Sequence, residues 1–143
     1  VKVINDSDEI ESTMTDLEMN MQFRSKGVRE KKRTLIIFDE FADAADQSDG
    51  TLIKNFKMLL QKGRSAGFRF VAATQRASVK TIPGDIKVNL PVQVCFRVPK
   101  GLDSKVVLDT EGAETLAGAG DGLIHSPEYN DGLVRFQAFY RPL

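Results

Sequence analysis

The chain has 143 residues, of which 41% are hydrophobic and 28% charged, and its 20 basic and 20 acidic side chains leave a formal net charge of zero. That is enough for one domain with a real core, and the balance argues against a strongly basic nucleic-acid module while leaving room for a local basic loop. A single cysteine, Cys95, excludes an intrachain disulfide or a cysteine-based metal cluster.

No apolar run approaches a membrane span, and the polar, acidic stretch from Val1 to Glu11 lacks signal-peptide character. A cytoplasmic chain is expected, any membrane anchor of the parent protein lying in a region not present here. A first residue of Val rather than Met is in keeping with a piece of a longer protein.

Asp6-Ser7-Asp8-Glu9 marks a helix start, its acids suiting the positive end of the helix dipole, and Ile10, Met14, Leu17 and Met21 continue it as one apolar stripe. Arg24 to Arg33 is basic, contains Gly27 and reads as a loop. Thr34-Leu35-Ile36-Ile37-Phe38 then reads as a short β-branched strand buried on both faces, as in a parallel sheet. It ends in Asp39-Glu40. A buried strand cannot hold carboxylates cheaply, so both should emerge at its carboxyl end, where open α/β sheets bind ligands. An Asp there can hold a hydrated magnesium ion beside nucleotide phosphates, and the next Glu can polarise a water. This is a Walker B arrangement; a core strand running into an acidic loop is the bland account.

Phe41 to Gly50 reads as a polar, acidic loop. A second amphipathic helix should run from about Gly50 to Ser65, with Leu52, Phe56, Leu59 and Leu60 facing the core and Gly67 ending it. Phe68 to Ala73 is another short apolar strand, ending in Thr74-Gln75-Arg76, and Ala77 to Asn89 is a loop or short helix. Val92 to Val98 alternates cleanly as a strand. Asp103 or Ser104 can cap a short helix through Leu108, and Ala113 to Leu116 makes a further helical turn. Strands at about Gly122–His125 and Leu133–Tyr140 flank the turn signal Asn130-Asp131-Gly132. Early strands alternating with helices imply an α/β fold with a mostly parallel, doubly wound sheet flanked by helices, closed by a terminal antiparallel hairpin.

The ends of two successive parallel strands share one rim of the sheet, so Thr74 or Gln75 could hydrogen-bond the attacking water or a terminal phosphate beside Asp39 and Glu40. Lys62 and Arg64 complement the carbonyl end of the second helix, and the planar guanidinium of Arg64 could also clamp a phosphoryl group across a subunit boundary. Arg76, Lys80, Lys87, Lys100 and Lys105 fall in loops between strands and could hold a phosphate backbone; a solvated surface is their ordinary account. His125 stands without a second ligand, and Ser126 has no base and orienting acid at a recognisable spacing. No Gly-x-x-x-x-Gly-Lys-Ser/Thr phosphate loop (Walker A) occurs.

Ile36-Ile37-Phe38-Asp39-Glu40-Phe41-Ala42-Asp43, Gln61 to Gly67, and Ala73-Thr74-Gln75-Arg76 resemble the motor domain of FtsK/SpoIIIE DNA translocases. The resemblance continues through Ile82-Pro83-Gly84-Asp85, Leu102-Asp103-Ser104, Gly112-Ala113-Glu114-Thr115-Leu116 and Gly120-Asp121-Gly122-Leu123, and so runs from about residue 34 to 125. It implies one partial RecA-like P-loop ATPase motor domain over residues 1–143: an amphipathic helix and loop over 1–33, then Walker B to terminal hairpin over 34–143, without the Walker A region. It implies ATP and Mg2+ as cofactors and a hexameric ring around double-stranded DNA. Asp39 and Glu40 would be the magnesium and catalytic-water carboxylates, Thr74 and Gln75 would face the nucleotide, and Arg64 would be an arginine finger completing a neighbour's site. Arg76, Lys87 and Lys105 would face DNA, with Lys100 standing in where Gly101 replaces a base. Ala77 departs from the proline usual after Thr-Gln-Arg. Without Walker A the chain alone should be inactive. Two other expectations are kept: a conjugative-transfer or protein-secretion ATPase of the same superfamily, and a non-catalytic docking module that retains the fold.

Overall fold

A computed structural model describes residues 3–4, 6–128 and 132–139. The chain divides into two compact units, Val1–Arg76 and Ala77–Leu143.

The first unit contains α1 (Ser7–Ser25), β1 (Thr34–Phe38), α2 (Phe41–Gln47), α3 (Thr51–Gly63) and β2 (Phe68–Ala72). Asp6 caps α1, its Oδ1 accepting the N–H groups of Asp8 and Glu9 at 3.1 Å each. Met14 and Met21 of the expected stripe are buried against the rest of the unit. β1 and β2 pair in parallel, Ile36 opposite Phe70 and Phe38 opposite Ala72. One face of this ribbon packs on α3: Phe38 and Phe70 both meet Phe56 edge-on, and Phe41 lies 4.7 Å from Phe56 between ring centroids. Leu52, Phe56, Leu59 and Leu60 are buried, as their spacing predicts.

Two expectations change here. β1 is covered on one face only: Leu35 and Ile37 are 61% and 67% exposed, and Val71 beside them is 48% exposed. Strand alternation sends them away from α3, and apolarity on both sides of a strand does not itself supply a second covering layer. The segment after Glu40 is not a loop but α2, because Phe41, Ala42 and Ala45 recur on one helical face and are all buried.

Gly67 ends the α3 segment after a 3-10 turn over Arg64–Ala66, with φ +90°. A Cβ there would meet the Lys32 carbonyl oxygen at 2.7 Å, so both backbone conformation and the neighbouring loop demand glycine.

The second unit contains α4 (Gly84–Lys87), β3 (Gln93–Phe96), α5 (Gly101–Leu108), β4 (Asp121–His125) and β5 (Leu133–Gln137). These strands form an antiparallel sheet in the order β3-β4-β5. Cys95, Leu108, Ala113 and Leu116 make its core, with Leu123 and Leu133 packed against them. The mostly parallel sheet expected from the alternation of elements is therefore replaced, among the described residues, by a two-stranded parallel and a three-stranded antiparallel sheet. The segment between β2 and β3 holds only the one-turn helix α4, which is too short to serve as a crossover helix of the usual kind. Ser104 caps nothing: it is buried inside α5, donating to Thr110 O at 2.8 Å and accepting from Ala113 N–H at 3.2 Å. Asn130 and Asp131 of the expected turn, and Tyr140, lie outside the described residues.

Candidate functional site

The parallel pairing of β1 and β2 brings Asp39-Glu40 and Thr74-Gln75-Arg76 to one rim. Ala73 N–H donates to Phe38 O at 2.8 Å and Phe41 N–H donates to Ala73 O at 2.9 Å, so the two exits are laced together beyond the last paired residues. Between those bonds Glu40 takes a left-handed backbone conformation, φ 50° and ψ 44°, and begins α2. Such a conformation in a non-glycine residue costs about 1–2 kcal/mol and is held by its surroundings. Here the surroundings include Gln75. Its side-chain Nε2 donates to Glu40 Oε1 at 2.5 Å, and its backbone N–H donates to Glu40 Oε2 at 3.4 Å.

Asp39 is exposed and one of its oxygens accepts the Glu40 N–H at 3.1 Å. Arg76 is exposed and lies 4.0 Å from Asp43 of α2. Thr74 Oγ1 accepts the Arg76 N–H at 3.1 Å and shapes the same turn. The rim borders a cavity of about 540 Å3, whose lining includes Asp39, Glu40 and Asp43, joined by Asp8 and Glu11 from the start of α1. Nothing in the sequence signalled that α1 would bring carboxylates here. The Glu40–Gln75 and Asp43–Arg76 contacts were equally invisible, because they depend on the strand register.

Among the described residues no group of three or more His, Cys, Asp or Glu side chains is arranged to hold a metal ion. One exposed carboxylate, Asp39, suits a magnesium ion that keeps most of its shell as water and phosphate oxygens.

Arg64 is exposed and lies beyond the C-terminus of α3, at the opposite end of the parallel strands from Glu40. The fold therefore does not bring it to the rim of its own unit. Lys87 points inward: its Nζ donates to Val106 O at 3.0 Å and pairs with Asp109 at 2.7 Å, leaving the side chain 13% exposed. Lys105 pairs with Glu111 at 3.0 Å while about half-exposed, and Lys100 is exposed just before α5. The structure does not gather these three lysines with Arg76 in one unit.

One ion pair of the second unit joins β4 to β5. Asp121 receives Arg135 through two bonds of 2.8 and 2.6 Å and accepts the Ala117 N–H at 2.8 Å. The Arg135 guanidinium, with that N–H, holds the Asp121 carboxyl down at about 2.

No family model matches the chain. A DNA translocase FtsK of Helicobacter pylori strain ATCC 700392 / 26695 is 42% identical over 119 residues, which cover 83% of this chain and 14% of that protein. A DNA translocase FtsK of Leptospira interrogans is 40% identical over 114 residues, 80% of this chain and 12% of the relative. The chain thus spans about one seventh of the length of the Helicobacter relative.

Among solved structures, the pCW3 conjugation coupling protein TcpA, in monomer form with ATPγS, matches at a TM-score of 0.84 and 27% identity, over 97% of this chain and 46% of that one. The cytoplasmic domain of the Thermomonospora curvata type VII secretion ATPase EccC matches at a TM-score of 0.80 over 96% of this chain and 19% of that one. At 22% identity, the second likeness speaks for the fold alone.

Proposed function

The chain belongs to the FtsK/SpoIIIE family of ATPases by homology to FtsK DNA translocases, and from that premise we propose that it is the carboxyl-side part of a RecA-like ring motor that couples ATP hydrolysis to movement of duplex DNA. The observation that carries the reading is the laced rim. A carboxylate at a strand end is held by a glutamine from the neighbouring parallel strand, beside a second carboxylate suited to hydrated magnesium.

Bound magnesium and ATP would supply the polarised terminal phosphate. Asp39 would hold the ion through water. Glu40 would orient and polarise the attacking water, and Gln75, with Thr74 shaping its turn, would report on the terminal phosphate. Arg64, remote from its own rim, would serve a neighbour's. Arg76, Lys100 and Lys105 would contact DNA phosphates as sequence-independent electrostatic contacts. Lys87 would join them only by giving up its bonds to Val106 O and Asp109.

The test is turnover by the complete motor. Arg64→Ala should leave ATP binding nearly intact and lower DNA-stimulated hydrolysis by roughly 10³-fold, the range of arginine-finger losses. Unchanged turnover in that variant contradicts the assignment. A second reading, a motor serving conjugative DNA transfer, draws on the likeness to the conjugation coupling protein TcpA. It keeps the same site and the same chemistry.

A further inference from the structure

The basic loop between α1 and β1 has no role in the site just described. Lys26, Arg29, Lys31, Lys32 and Arg33 are all exposed, with Glu30 as the single acid among them. The loop is pinned in place. Arg24 is buried, and its Nη1 donates to Lys32 O at 2.7 Å, Thr34 Oγ1 at 3.1 Å and Ala66 O at 3.3 Å, while its guanidinium stacks 4.4 Å from the Phe68 ring. The loop backbone rests on Gly67, where a side chain would strike Lys32 O.

The same bonds fix the loop beside the 3-10 turn that carries Arg64, next to Arg69 and Lys62, which are exposed too. Every cation named here lies toward the amino ends of β1 and β2. The carboxyl ends carry mostly the opposite charge: Asp39, Glu40 and Asp43 at the rim, Asp8 and Glu11 across the cavity, and Asp46 on α2, outnumbering Arg76, which lies beside Asp43. The first unit is therefore a charge dipole along its strands, with Arg64 at one pole and the Asp39-Glu40 pair at the other.

We propose that the Lys26–Arg33 loop is a subunit-docking element that seats the basic pole of one copy on the acidic pole of the next, and so delivers Arg64 to the neighbour's Asp39-Glu40 rim. The inference rests on the ring-motor reading above and names the surface that would make the ring. A surface complementary to a different surface of the same chain forms head-to-tail contacts, which close into a ring when the rotation permits. Opposed charge fixes register and speeds encounter.

The test is a charge swap in the complete motor, read by sedimentation velocity at low and high salt with circular dichroism as the check on folding. K31E/R33E should remain folded and sediment as the protomer under conditions where the unaltered motor assembles, with at least a tenfold loss of turnover. Adding E11K/D46K to the same chain should restore the assembled mass. Assembly unaffected by K31E/R33E overturns the proposal, as does lost assembly that the second pair of substitutions leaves unrescued. Intact assembly with weakened duplex-DNA binding assigns the loop to DNA instead. Sedimentation reports mass whether or not ATP is turned over, so a motor that assembles but ignores DNA would refute the functional reading and leave the docking surface standing.

Discussion

Glu40, on which the proposed chemistry turns, is constrained in both backbone and side chain. Its left-handed conformation is sustained by the Phe41 N–H bond to Ala73 O on one side and by Gln75 on the other. Gln75→Ala removes the side-chain half of that hold. We expect about a hundredfold loss of turnover in the complete motor with nucleotide affinity little changed, the scale on which a misplaced general base is felt. Equilibrium nucleotide binding beside steady-state turnover separates this from simple loss of binding.

Asp121 offers a second residue-scale check, on stability. Its carboxyl is held at about 2, below its ordinary value of 3.8, by Arg135. A depressed carboxyl stabilises the folded form above its unfolded value, and that contribution is lost as pH falls through 3.8 toward about 2. Asp121→Asn should therefore melt at a lower temperature at neutral pH and show a flatter dependence of melting temperature on pH across that window. An equally steep dependence in the variant would remove Asp121 as a source of it.

At the scale of the element, α3 is the spine of the first unit, and Phe56 is its central contact, touching Phe38, Phe41 and Phe70. Phe56→Ala should cost about 3–5 kcal/mol, measured by denaturant unfolding, as expected for emptying a fully buried aromatic site. That helix was legible because its period, four core residues and glycine stop all agree. β1 was legible as a strand but not in its burial, since Leu35 and Ile37 are apolar whether or not anything lies over them. α2 was missed because a seven-residue helix offers barely two turns of pattern, and its acids mimic a loop. The ends of β1 and β2 were foreseeable as one rim from the rule for parallel strands. Which side chain holds which carboxylate was not, since that depends on the Phe38–Ala72 register and on the backbone turn at Glu40. Lys87 shows the same limit: a lysine in a polar segment reads as exposed until Val106 and Asp109 are found around its Nζ.

At the scale of the whole molecule, the proposed site draws on more than the first unit of one copy. Arg64 and the Asp39-Glu40 pair stand at opposite ends of the same strands, so in the proposed ring a second copy would bring Arg64 to the rim. Among the described residues no helix is long and apolar enough to cross a membrane. The most direct measurement is ATP hydrolysis by the full-length parent protein with and without duplex DNA, beside its Glu40→Gln variant. Strong stimulation by DNA, weakened by salt and abolished in the variant while ATP stays bound, is the predicted result. Hydrolysis that ignores duplex DNA, or that persists undiminished without the Glu40 carboxylate, would contradict the account of this chain as part of a DNA motor.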